Sequence, residues 1–446
     1  MVLSQQIFHQ KVGGGKMDLW TIETLRSVTN NFETLTVSQQ QQFQNYMNSS
    51  FPPVVFNNHL NYRRLALKNS NSARNNLIQS HQQFPNFTDW KAVSSSPKSL
   101  ENHALIFTAG GEGERLRLSL LKLGVDEQEL ENFTKATFKL PDFYKKYGTL
   151  HVNLSMIASF CDKYEIDIPV IVTTGPKGSI TARVIPEILD EYSNFGLKNV
   201  KIIEQEERIH FSMEEKVVWQ MSESGPVPVT HPDETGGPLM KLKQTDQSGS
   251  SILDWLEELN CTRSIVVQAT ALYDLSLLPL MAEALKGHDC LAVGILRDSF
   301  SPNDPFGTFV TLLNGTSSKT MILEQDVRND FTRELKDQSG RYFLPFNTGF
   351  YAFENSLLKN NSLPHFATPP KEIYPDLPRS PKIGYAATDI VPLANNPIIL
   401  TIKTDMFGVL KTSDDLKTLS ELGKKYGLDK MCKERESFNK KGIFSE

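Results

Sequence analysis

The sequence predicts an α/β protein: a mostly parallel twisted sheet covered by helices, with a helical N-terminal region before it and a short helical segment after it. Three observations carry this expectation. Short runs rich in Val and Ile are apolar on both faces, amphipathic stretches alternate with them, and the texture changes at Leu105, before which the chain reads as helix and polar turn. With 446 residues and 39% hydrophobic content the chain can bury a large core, and its length favours about two or three domains.

Taken in order, residues 1–16 read as a flexible lead, because "KVGGGK" offers glycine and charge with nothing to pack. Residues 17–100 read as a helical N-terminal region. In "TVSQQQQFQNYMNSS", Phe43, Tyr46 and Met47 fall on one helix face, leaving an amide-rich outer side. Pro52 and Pro53 break that helix, and "SVTNNF" and "NSNSARNNL" read as polar turns. Residues 101–411 form the α/β domain. Its candidate strands are "ALIFTA", "IPVIVTT", "NVKIIEQ", "SIVVQAT", "CLAVGIL" and "GTFVTLL". Between them "LHVNLSMIASFCDKY", "ITARVIPEILDEYSNF" and "LSLLPLMAEALKG" have helical periodicity. Residues 412–446 close the chain as one or two helices, and no fixed-period repeat marks a solenoid.

Composition narrows the function classes. The 47 Lys and Arg against 52 Asp and Glu give a net charge of −5, so no global basic field recruits nucleic acid, and an anionic ligand must be held by local cations. Cys161, Cys261, Cys290 and Cys432 form no CxxC pair, which argues against a zinc site and a disulfide-stapled domain. No segment has the apolar length of a membrane span or a signal h-region, so a cytoplasmic protein is expected.

One motif carries chemistry. The stretch "LIFTAGGEGERL", residues 105–116, runs from an apolar strand into Gly110, Gly111 and Gly113 and then into a helix. Bare backbone N–H groups at a helix N-terminus favour an anion, and glycine lets a phosphate approach closely. The loop lacks the Lys-Ser/Thr ending of a P-loop and the spacing of a dinucleotide fingerprint, so on its own an ordinary structural turn explains it as well. Ligands of parallel α/β sheets bind at the carboxyl ends of strands, which is where the loop falls.

"AGGEGERL" followed by "TKATFKLP" resembles the glycine loop and the Pro-Lys signature of the UDP-sugar pyrophosphorylases, the uridylyltransferases that make UDP-glucose and UDP-N-acetylglucosamine. Three further stretches resemble that family in order: "HPDETGG" (231–237), "PFNTGFYAF" (345–353) and "TDMFGVLKTSDDLKTL" (404–419). The resemblance spans roughly residues 100–420 and implies a nucleotide-diphospho-sugar transferase fold of the GT-A kind. It implies a reaction of UTP with a hexose-1-phosphate, glucose-1-phosphate or N-acetylglucosamine-1-phosphate, giving a UDP-sugar and pyrophosphate.

By the same resemblance Gly110, Gly111 and Gly113 line the nucleotide, and Arg115 and Lys135 neutralise its phosphates. Lys411 holds the sugar phosphate from the opposite side. Gln205, Gly236 and Gly237 face the uracil, and Asn347 and Thr348 the sugar hydroxyls. Mg²⁺ is expected to accompany UTP. Many relatives carry a metal-binding aspartate after a strand where this chain reads "IVVQATALYD"; Gln268 is neutral, and Asp274 is the best substitute by position, although an aspartate there also reads as a helix N-cap. Glu114 and Arg117 stand where the family loop has Thr and Gly. His231 has no partner at metal-ligand spacing and is assigned no role. Thr412–Glu446 is too short for the β-helical C-terminal domain of eukaryotic UDP-glucose enzymes, so a monomer is expected. Two other readings stay open: a catalytically silent nucleotide-sugar binder with a regulatory or scaffold role, and an adenylyl- or guanylyltransferase.

Overall fold

The computed structural model describes residues 19–139, 147–296, 306–315, 317–324, 345–372 and 377–440. The lead expected over residues 1–16 lies outside them. The chain divides into two compact units.

The first unit is assembled from described residues of three separate stretches, within 19–65, 208–231 and 368–382. The helix Ile22–Val28 starts at Thr21, whose hydroxyl accepts the Thr24 N–H. The helix Val37–Ser50 starts at Thr36, which accepts from Gln39. Both are the reciprocal side-chain caps expected of a Thr three residues before a polar partner. Phe43 and Met47 are fully buried, as their spacing predicts, and pack with Trp20, Phe32, Phe56 and Phe211. A third helix begins at Pro53, where proline costs no backbone bond. Arg63 is buried and donates to Glu215 and to the Ser212 carbonyl, which satisfies most of an otherwise costly charge. His210, also buried, is bonded to Ser380 and is pushed down to about 3 by burial.

The second unit holds the sheet. Eleven strands form it, and the main order is Phe87–Asp89, Pro397–Ile402, Cys290–Ile295, Phe346–Glu354, Arg263–Gln268, His103–Thr108, Val170–Thr174, Val200–Glu204. Along this order all neighbours run parallel except Phe346–Glu354, which is antiparallel to its two neighbours and also to Thr308–Asn314. Thr308–Asn314 pairs antiparallel with Ser317–Leu323 and with the edge strand His81–Gln83. The six strands read from the sequence are present, as are the three helices between them, now bounded as Thr149–Tyr164, Ile180–Glu191 and Leu277–Ala284.

Successive side chains explain the double-sided apolar runs. Leu105, Phe107, Ile265 and Val267 enter the core on one face, whereas Ala104, Ile106 and Val266 enter the core on the other. The helix Thr149–Tyr164 is buried nearly all round, because the C-terminal helix Leu428–Arg435 covers its outer side. Leu419, Leu428 and Cys432 from the closing helices belong to that same core. Within it Asn153 donates to the Ala271 and Thr149 carbonyls and ties the helix to the backbone behind Gln268.

One expectation needs correction. The N-terminal helical region does not run on to residue 100: His81–Gln83 and Phe87–Asp89 are edge strands of the sheet, too short and too polar to show a period of two. The sheet is mostly parallel, as the sequence predicts, with Phe346–Glu354 at its centre running the other way.

Candidate active site

At the carboxyl ends of the parallel strands lies a cleft of about 390 Å³. Thr108, Thr173, Gln205 and Gln268, each at or just past the end of its strand, form its floor with Ala109, Gly110 and Gly111. Lys135 and Lys411 enter from the loops, and Phe306, Glu324, Asn347, Gly349 and Tyr351 also line it.

The glycine loop is built for close approach. The Ala109 N–H is fixed by the Thr173 carbonyl of the neighbouring strand. Gly110 then lies against the Gln205 amide oxygen with no room for a Cβ, and Gly111 has open space before it. Gly113 takes a left-handed conformation (φ 83°) and caps the helix Glu114–Lys122 with no side-chain acceptor, so the helix start keeps its donors. A Cβ on Gly113 would come within 2.9 Å of the Lys135 side chain, so the glycine brings loop and lysine together without lining the cleft itself. Glu112 accepts from the Ile180 N–H, and Glu114 is exposed outside the cleft.

The cations are set by local backbone chemistry. A turn in which the Thr134 hydroxyl accepts the Thr137 N–H presents Lys135, while the buried Ala136 beneath it accepts from Leu150. In "KTSDD", Asp415 Oδ2 accepts the N–H groups of both Lys411 and Thr412 at 2.8 Å. The Ser413 N–H donates to Ser119 of the glycine-loop helix, which joins the two walls. Burial pushes the Lys135 ammonium below its ordinary value, and Arg115 adds to this. Burial, then repulsion from Lys135 and more weakly from Arg115, pushes Lys411 down to about 8. Among the described residues none of the three cations has a carboxylate within ion-pair distance. Such a cluster is poised for an anion.

The polar end is held by amides. Gln205 donates to the Glu234 carbonyl at 2.7 Å. Gln268 donates to the Thr348 carbonyl at 2.9 Å, in space left by Gly349, whose φ of 77° and missing Cβ make room for that amide. Asn347 donates to the Tyr351 hydroxyl and accepts from the Gly349 N–H.

Besides Gly113, five expected residues stand elsewhere. Arg115 is exposed in the first turn of Glu114–Lys122 and is not among the residues lining the cleft. Thr348 points to the opposite face of its strand, where its buried hydroxyl donates to the Val293 carbonyl, because strand side chains alternate. Gly236 and Gly237 do not line the cleft: a Cβ on Gly236 would meet the Tyr385 and Ala386 backbone at 2.8 Å, and Gly237 lies against Asp233, while their neighbours Thr235 and Pro238 reach the cleft. Asp274 lies at the far end of Ala271–Tyr273 from the cleft-lining Thr270, and its carboxylate accepts the Ser276 N–H ahead of a helix, the capping role open to an aspartate there. With Asp274 outside and the Gln268 nitrogen spent, Glu324 is the carboxylate lining the cleft among the described residues. That donor set does not fit a dedicated protein Mg²⁺ cage, and no three potential ligands cluster among the described residues.

Sequence reasoning missed Phe306, Glu324 and Tyr351. Glu324 carries no local signal beyond ending an apolar strand, and Phe306 reaches Lys411 only through the fold.

No family model matches the sequence, and no curated protein does. Solved structures do. The chain is similar to the UDP-N-acetylglucosamine pyrophosphorylase of Trypanosoma brucei in complex with an inhibitor, with a TM-score of 0.64 and 15% identity over 87% of this chain and 79% of that one. An Entamoeba histolytica protein assigned the same activity matches at a TM-score of 0.59 and 17% identity, over 76% and 86%. A single-residue variant of the Leishmania major UDP-glucose pyrophosphorylase, in complex with UDP-glucose, matches at 0.55 and 10%, over 86% and 78%. The chain has the fold of these pyrophosphorylases. No helix among the described residues is long and apolar enough to cross a membrane.

Proposed function

We propose that this protein is a uridylyltransferase that forms a UDP-sugar and pyrophosphate from UTP and a hexose-1-phosphate, either glucose-1-phosphate or N-acetylglucosamine-1-phosphate. The observation that carries the reading is the convergence of Lys135 and Lys411 in the cleft beside a bare glycine backbone at the strand ends, with the exposed Arg115 near enough to repel both. A sugar-phosphate oxygen attacks the α-phosphorus of UTP, and the bond to pyrophosphate breaks. Two polyanions must meet, so the protein's work is to position them and to place cations where charge builds. Lys135 and Arg115 face the triphosphate held on the Gly110–Gly111 backbone, and Lys411 faces the incoming sugar phosphate. Gln205 offers its amide to the uracil and Asn347 its amide to the sugar. Mg²⁺ arrives with UTP as the nucleotide's counter-ion.

The test is pyrophosphate release with UTP, ATP, GTP, CTP and dTTP against a set of hexose-1-phosphates. Release with UTP and one sugar is expected and names the acceptor; release only with ATP or GTP rejects the uridylyl assignment. The neutral, tethered Gln268 amide favours a second reading, a nucleotide-sugar binder without turnover. Thermal stabilisation by UTP or a UDP-sugar with no pyrophosphate released from any pair selects it.

A further inference from the structure

The Lys411 ammonium lies 3.6 Å from the centroid of the Phe306 ring. Phe306 is itself held edge-on by the buried Phe346, at 6.0 Å and 78°. Both Phe306 and Lys411 line the cleft. Left to its charges, Lys411 would not stay there. Lys135 and Arg115 repel it, while Glu324 and Asp415 attract it from the sides. Asp415 already serves two backbone N–H groups, and Glu324 is exposed, so the lysine pairs with neither. The face of an aromatic ring attracts a cation at low desolvation cost, which a carboxylate cannot offer without cancelling the charge a phosphate needs.

The geometry points to Phe306 as a positioning residue that seats the Lys411 ammonium for a phosphate, resting on the proposed phosphate role of this cleft. The ring fixes the cation on one side and leaves it uncancelled, so the anion meets a charge already in place. Pre-organisation of this kind lowers the cost of binding.

The experiment uses the full chain with ¹³C-lysine labelling and inorganic phosphate, the charged group of a sugar phosphate, as the probe. One lysine methylene next to the ammonium is expected at unusually high field because of the ring above it, and this signal vanishes in Lys411→Ala and Phe306→Leu and stays in Phe306→Tyr. Phe306→Leu is expected to weaken phosphate binding about tenfold, the size of a desolvated cation–π contact, while uridine binding is unchanged and Phe306→Tyr restores most of the loss. A wild-type protein with no ring-shifted lysine overturns the inference, as does Phe306→Leu binding phosphate like the wild type. If the signal and the phosphate loss are found while no nucleotide and sugar pair turns over, the seat stands and the transferase reading alone fails.

Discussion

Lys135 and Lys411 are half-buried and repel one another, and among the described residues neither has a carboxylate within ion-pair distance. Replacing either with Ala removes one preorganised charge from the transferring phosphates. A loss of about a hundred- to a thousandfold in turnover is expected, with a melting temperature close to wild type because neither lies in the core; steady-state kinetics and calorimetry check both. Lys411 also sets a pH dependence. It is charged below about 8 and neutral above, so its hold on an anion should fade as pH rises through that value, read as weakening sugar-phosphate affinity between about pH 7 and 9.5. For folding the sign is opposite. The unfolded lysine titrates near its ordinary value of 10.5 and the folded one near 8, so between those values the unfolded chain holds more protons. Stability from this group therefore rises with pH across that window. Gly349→Ala should destabilise by about 1–3 kcal/mol, because it places a Cβ in a left-handed backbone and into the Gln268 amide; denaturant unfolding measures it. Of these residues the lysines were legible through the family resemblance alone. Gln268 and Gly349 were not legible as a pair, because their contact joins two strands distant in sequence.

At the scale of elements, the site depends on loops bolted to strand ends. The Asp415 carboxylate fixes the Lys411 loop through two backbone bonds. Asp415→Ala should raise the KM for the sugar phosphate more than it lowers kcat, with a stability loss of about 1 kcal/mol, as for a lost helix cap. Equal KM values in mutant and wild type would remove the loop from the account. The apolar strands and the helices between them were legible because burial on both faces leaves continuous Val and Ile runs. Phe346–Glu354 was legible only through the resemblance of "PFNTGFYAF", and its direction is set by partners remote in sequence. The edge strands His81–Gln83 and Phe87–Asp89 gave no signal because three residues, most of them polar, cannot display a period.

At the scale of the molecule, the closing helices complete the core that supports the site. Leu419 is fully buried there, and Leu419→Ala should cost about 2–5 kcal/mol, read from chemical denaturation. The first unit was only partly legible, since described residues within 208–231 and 368–382 join those within 19–65 through contacts that no local pattern encodes. The central claim is that the cleft at the strand ends holds a uridine nucleotide by its phosphates. The most direct measurement is a crystal structure of the protein grown with UTP. The expected result is triphosphate density over the Gly110–Gly111 backbone, with Lys135 and Arg115 in contact and the uracil beside Gln205. Density for UTP elsewhere, with this cleft filled by water, would contradict the account.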